Sequence, residues 1–355
     1  MFVQELLDRG VRSLSVVGMG KNTGKTFSFG QLLLEARSLG IQVAITTMGL
    51  DGEERDSLFG HSKPQIMVGS GQIVANAKTL LLESGLDYEI LSTTGIMTPL
   101  GEVILARALS AGKTRLAGPA TRDELALVRD QLEEIGIDLL FVDGAIDRRS
   151  SAAPMVTDTT VLAVGPENSC DRAHLLEKLK LLLSILTLPA LKHPSVDRLR
   201  RVGQGIKAVY LSALGVQGVL AQHDFLQASI ELAEHINQET QAIYIRGMLT
   251  DDVLGKILAG AGGVEGFTIV ARDPTHVFVG KQSVQRLASH QAVLKVLDPI
   301  QISALTVNPF STSYGHTDPI RLLRDVGQAV FPIPCYDLGL GLRYVPGKEG
   351  FDAIS

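Results

Sequence analysis

The residues best suited to chemistry lie near the start of the chain, in Ser13-Leu-Ser-Val-Val-Gly18-Met19-Gly20-Lys21-Asn22-Thr23-Gly24-Lys25-Thr26. An apolar run enters a glycine-rich stretch that ends in Gly-Lys-Thr. Phosphate binding requires this order: a buried strand, then a loop whose glycines let backbone N–H groups approach phosphate oxygens, then a helix whose N-terminus faces the anion. In such a loop Lys25 reaches the β- and γ-phosphates and the Thr26 hydroxyl ligates Mg²⁺. The candidate cofactor-binding residues are therefore Gly18, Gly20, Lys21, Asn22, Thr23, Gly24, Lys25 and Thr26. The tripeptide alone is a weak signal, and the strand before it and the helix after it give it weight. One departure from the usual spacing is plain: Met19 occupies the position where the common motif has glycine, and the pattern reads Gly18-x5-Gly24-Lys25-Thr26.

A second carboxylate-bearing element is Asp138-Leu-Leu-Phe-Val-Asp143-Gly144-Ala145. An acid that ends a buried strand and precedes small residues is well placed to face Mg²⁺ or its waters. Lys25 and Asp143 are thus the candidate catalytic pair, and Thr26 and Asp143 candidate metal ligands. The alternative for Asp143 is a plain Asp-Gly turn after a core strand. Lys21 reads either as a catalytic lysine acting across a subunit interface or as a solvated loop residue. Asp147, Arg148 and Arg149 follow closely, facing phosphate or a partner, or merely solvent. Thr93 to Gly101, rich in Gly and Thr before an expected helix, reads either as a substrate-holding segment or as a turn with Thr98 as N-cap, and the turn is expected. Arg272-Asp273-Pro274-Thr275-His276 and Val307-Asn308-Pro309-Phe310-Ser311 end apolar runs at positions where α/β folds place ligands, but they also read as ordinary proline turns. The eight histidines form no H-x-x-x-H or H-E-x-x-H arrangement, so zinc hydrolysis is unsupported. No G-x-S-x-G elbow occurs either.

The elements that must hold these residues follow from periodicity. Strands are expected over 14–17, 42–46, 115–117, 137–142 and 159–164, helices over 26–39, 101–111, 121–135 and 174–188, and a hairpin over 66–74. Thr121 with Glu124 forms a capping-box signature. In the second half, strands are expected over 207–211, 267–271, 276–279, 303–307 and 331–336, with helices over 224–236, 251–258, 283–289 and 319–326. The rhythm predicts an α/β fold, a mostly parallel sheet flanked by helices, with a second α/β domain. Prolines 189 and 194 and the basic run Arg198, Arg200 and Arg201 place the boundary near 195, giving domains 1–195 and 196–355. A single continuous sheet through both halves is the alternative.

Length agrees: 355 residues suit two domains of roughly 150 residues. With 45% apolar and 20% charged residues, the chain can bury a core without staples. Lys plus Arg of 33 against Asp plus Glu of 38, a net charge of −5, argues against nucleic acid as the main partner. Two distant cysteines argue against a disulfide framework. The first residues lack a signal-peptide pattern, and the longest apolar stretch, 179–191, is too short to span a bilayer. A cytoplasmic protein without membrane partners is expected.

The loop 17–26, Leu50-Asp51-Gly52-Glu53-Glu54 with Lys63-Pro64, Val142-Asp143-Gly144-Ala145 and Val307-Asn308-Pro309 together resemble the smaller reactivase subunit associated with lysine 5,6-aminomutase and ornithine 4,5-aminomutase. The similarity spans most of the chain, but only the loop is specific by itself. The loop spacing and the Asp-Gly-Ala strand end are also similar to dethiobiotin synthetase, which carries Glu-Gly-Ala there. The loop is less like the MinD-type deviant motif, whose extra lysine lies one residue further from the main one than Lys21 lies from Lys25. The resemblance implies a P-loop ATPase fold that uses ATP and Mg²⁺. It further implies a second Mg²⁺-directed carboxylate after the strand that follows the loop helix, with Asp51 first and Glu54 second, or else an acidic solvated turn. It implies that the protein, with a second ATPase subunit, restores an adenosylcobalamin-dependent aminomutase that carries damaged cobalamin. Two other readings stand beside it: an ATP-dependent ligase of the dethiobiotin synthetase type, activating a small carboxylate or carbamate with Lys21, Arg148 and Arg149 near the γ-phosphate, and a nucleotide-binding regulator without turnover. Self-association into a homo-oligomer is left open.

Overall fold

The computed structural model describes residues 2–49, 65–144, 156–168, 171–203, 205–220, 236–346 and 350–354. The chain forms two compact units, Met1–Leu179 together with Gln301–Ser355, and Lys180–Ile300. This corrects the expected division at 195, because residues 301–355 belong to the first unit. The reason is strand pairing. Ile302–Val307 is an apolar run that lies parallel to Thr159–Val164, with Leu305 opposite Leu162.

The first unit is built on an eleven-stranded sheet. Its order is Phe351–Ala353, Leu342–Tyr344, Cys335–Asp337, Ile302–Val307, Thr159–Val164, Ser13–Gly18, Leu139–Asp143, Val43–Thr47, Ile73–Ala77, Gly101–Ala108 and Tyr88–Thr98. The seven strands from Cys335–Asp337 to Ile73–Ala77 run parallel, and antiparallel strands close both margins. The central strands are buried along their length and mostly apolar because both faces are covered, with the polar exceptions satisfied internally, as Ser15 Oγ is by Thr160 Oγ1 at 2.7 Å. Along Leu139–Asp143, Leu139 and Phe141 pack with Phe29, Leu32 and Leu33 of the Lys25–Ser38 helix. Leu140 and Val142 pack with Leu125, Val128 and Leu132 of the Arg122–Ile135 helix on the other face. That second helix starts as expected: Thr121 Oγ1 accepts the Glu124 N–H while the Glu124 side chain accepts the Thr121 N–H, and Gly136 ends it at φ 89°.

Three local expectations are corrected. Gly101–Ala108 is a strand, not a helix, since its apolar centre is buried between antiparallel partners. Ile66–Val68 pairs with Gly112–Thr114 rather than in a hairpin with the residues after Gly71, and the strand expected over 115–117 falls at Gly112–Thr114.

The second unit is also α/β. Gly215–Leu220, Ala208–Ser212, Ala242–Ile245, Thr268–Ala271 and Val293–Val296 form its five-stranded sheet, the last three parallel. Helices Asp251–Gly260 and Lys281–Ser289 supply Val253, Leu254, Ile257 and Leu287 to a core with Ile243, Ile245 and Ile269. The helix expected over 224–236 lies, but for Ile236, outside the described residues. Among the described residues no helix is long and apolar enough to cross a membrane.

Candidate functional site

The strand Ser13–Gly18 is central, with Val16 opposite Asp143 on one side and Gly18 opposite Ala163 on the other. The carboxyl ends of these parallel strands therefore meet at one sheet edge, which is where α/β folds bind ligands. Beyond Gly18 the chain turns sharply. The Met19 N–H donates to the Ala163 carbonyl at 2.9 Å, and Thr23 Oγ1 donates to the Gly20 carbonyl at 2.9 Å.

Two glycines are required by this turn. A Cβ on Gly18 would sit 2.7 Å from Thr23 Oγ1 and 2.9 Å from the Gly20 oxygen, so the loop could not fold back over the strand end. Gly24 has φ +94°, and a Cβ there would lie 2.4 Å from Asn308 Cβ. Asn22 is also left-handed, at φ 57°, a region that asparagine tolerates better than most residues. Gly24 caps the Lys25–Ser38 helix without a side-chain hydrogen bond. The first-turn N–H groups, at the positive end of the helix dipole, thus face the loop's concave side with no side chain supplied by the cap.

All the loop residues expected to take part in binding lie in this one turn. Thr23 is buried, Lys25 and Thr26 are half-buried, and Lys21 and Asn22 are exposed. Lys25 Nζ lies 2.9 Å from Asp143 Oδ1, with the two side chains 22% and 16% exposed. Asp143 is fixed at its strand end. Its carbonyl accepts the Thr47 hydroxyl at 2.9 Å, and the Gly144 N–H that follows donates to the Val16 carbonyl at 3.1 Å. Asp51, the other expected metal ligand, lies outside the described residues, as do Glu54, Asp147, Arg148 and Arg149.

The donor types suit Mg²⁺, which takes hard oxygen ligands, one or two of them carboxylates, together with phosphate oxygens and water. Thr26 and Asp143 are such donors. Among the described residues no group of three His, Cys, Asp or Glu side chains gathers around a point.

Of the loop's neighbours, the sequence placed Asn308 and Ser311 at a strand end, either as ligand-facing residues or in a proline turn, and it passed over Gly165 and Glu167. Asn308 follows the Ile302–Val307 strand and presses on Gly24, and a Cβ on Gly165 would lie 3.1 Å from both the Thr23 and Asn308 carbonyl oxygens. Glu167, in the short turn Pro166–Asn168, reaches Ser311, Thr312 and Ser313. A signal existed: Val164-Gly-Pro and Val307-Asn-Pro both end buried strands in a small or polar residue and proline, and strand ends are the ligand edge. The proline-turn reading hid it.

No protein-family model matches the chain, and no curated protein matches its sequence.

Proposed function

We propose that the first unit is a P-loop nucleoside-triphosphatase fold and that the protein binds ATP with Mg²⁺ at the 18–26 loop. The observation that carries this reading is the Lys25–Asp143 ion pair at the mouth of a glycine turn on the carboxyl edge of the parallel sheet. A strand, a tight loop and a helix N-terminus supply backbone donors for phosphate. Lys25 supplies a mobile cation for the terminal phosphates. Thr26 and Asp143 hold the metal, which neutralises charge on the β- and γ-phosphates when bound. Gly18 and Gly24 allow the backbone to approach, and Asn308 closes the loop on its far side.

The wider role we propose rests on the resemblance of the loop, the Asp143 strand and Val307-Asn308-Pro309 to aminomutase reactivase subunits. In that role the protein works with a second ATPase subunit to restore an adenosylcobalamin-dependent aminomutase. A nucleotide can drive such a partner only by favouring one of its states over another.

The test is titration calorimetry with MgATP on the wild type and on Lys25→Ala. Binding that is lost in the variant supports the nucleotide reading, and a wild type that takes up no nucleotide refutes it. ATPase activity stimulated by the mutase or its partner subunit supports the wider role. Stimulation by a small carboxylate alone would favour the ligase chemistry instead.

A further inference from the structure

Beside the loop, four donors converge on one surface carboxylate. Ser311 Oγ at 2.6 Å and the Thr312 N–H at 2.7 Å donate to Glu167 Oε2. The Thr312 hydroxyl and Ser313 Oγ, the latter at 3.0 Å, donate to Oε1. The Asn22 side-chain amide, on the phosphate loop itself, lies 3.5 Å from both Glu167 Oε1 and Thr312 Oγ1. Hydrogen bonds from the hydroxyls of Ser311 and then Thr312 hold the Glu167 carboxyl down to about 2, so it is ionised at any physiological pH.

The contacts join three segments that the chain keeps far apart: the loop, the turn after Thr159–Val164, and the turn after Ile302–Val307. The last of these also carries Asn308, locked by its own turn. Asn308 Nδ2 donates to the Phe310 carbonyl at 3.1 Å and Oδ1 accepts the Phe310 N–H at 3.4 Å. Asn308 in turn bounds the space at Gly24. A loop that must present several N–H groups to one anion gains affinity when that arrangement exists before the anion arrives.

We propose that Glu167 is a positioning residue: its carboxylate clasps the 311–313 turn and Asn22 and so holds the phosphate loop in its binding shape. The clasp rests on the nucleotide reading for its purpose, but its existence can be tested without nucleotide.

Glu167→Ala removes the acceptor and Glu167→Gln keeps its shape without its charge. Both act at a half-buried side chain at the end of the sheet, away from the core, so the thermal midpoint should fall only slightly. In full-length protein, MgATP affinity should fall about tenfold in Glu167→Ala, roughly the loss of one charge-assisted hydrogen bond, and by less in Glu167→Gln. The turnover rate at saturating MgATP should not change, since the chemistry groups are untouched. Amide hydrogen exchange without nucleotide should quicken at both 20–24 and 310–316. Unchanged affinity overturns the proposal, whether exchange quickens or not, and so does a fall in turnover with affinity intact. If the wild type takes up no MgATP, the nucleotide reading fails by itself. Exchange then judges the clasp: faster exchange in both segments upholds it, and unchanged exchange overturns it.

Discussion

Lys25 Nζ and Asp143 Oδ1 stand 2.9 Å apart, each neutralising the other at the mouth of the glycine turn. The two groups are those that a metal–phosphate ligand would separate, the amine drawn to phosphate and the carboxylate to metal. On the proposed nucleotide reading, ligand entry would exchange one ion pair for two new contacts, with a counter-charge for each group in either state.

Removing either partner should accordingly cost little stability and much binding. For a partly exposed pair the stability change is about 1 kcal/mol or less. Lys25→Ala should weaken MgATP binding on the order of a hundredfold. Asp143→Asn should keep binding of metal-free ATP but lose the gain that Mg²⁺ brings. Calorimetry with and without Mg²⁺ measures both.

Gly24→Ala meets two obstacles at once. The backbone at φ +94° costs an L residue about 1–2 kcal/mol, and the new Cβ collides with Asn308 Cβ. The thermal midpoint should fall, and adding Asn308→Gly should recover only the part due to the collision. Full recovery in the double variant would show that the backbone conformation carries no cost.

Thr121→Ala tests a stabilising contact remote from the loop. It removes the acceptor for the Glu124 N–H at the start of Arg122–Ile135 and should cost about 1 kcal/mol in denaturant unfolding. Nucleotide affinity should not move.

Glu35 supplies a pH test. Burial pushes its carboxyl above the usual range, against the N–H of Val3 that donates to it at 2.8 Å. Folding therefore favours the protonated form, and this contribution is present below the unfolded value near 4.5 and is lost as pH rises through the folded value. Glu35→Gln keeps the acceptor without the charge. It should raise the thermal midpoint at pH 7 and leave it nearly unchanged at pH 4.

What was legible in the residues was local. Thr121 and Glu124 announce their helix by a contact three positions apart, and the run 159–164, apolar and β-branched-rich after its two threonines, reads as a strand covered on both faces. The glycine turn between the first strand and its helix is legible for the same reason, as its glycines, lysine and threonine are neighbours in sequence. What was illegible depends on distant partners. Val103 to Ala106 form an apolar block whose periodicity does not separate helix from buried strand, and the pairing with Ile73–Ala77 decides it. Ile66–Val68 finds its partner beyond three intervening strands. Glu167 lies 144 positions from Ser311, and nothing near either residue names the other. The return of 301–355 to the first sheet was hidden in the same way, because a buried strand does not declare which neighbours will flank it.

That return has a consequence for synthesis. A ribosome delivers Lys25 and Asp143 early and Asn308 and Ser311 only after the whole of Lys180–Ile300 has emerged. Until then one side of Thr159–Val164 lacks Ile302–Val307, and its row of N–H and C=O groups is open to any passing strand. The nascent chain thus carries its 18–26 glycine turn before the parts that brace it, and late translation is the interval in which a holdase chaperone would matter most.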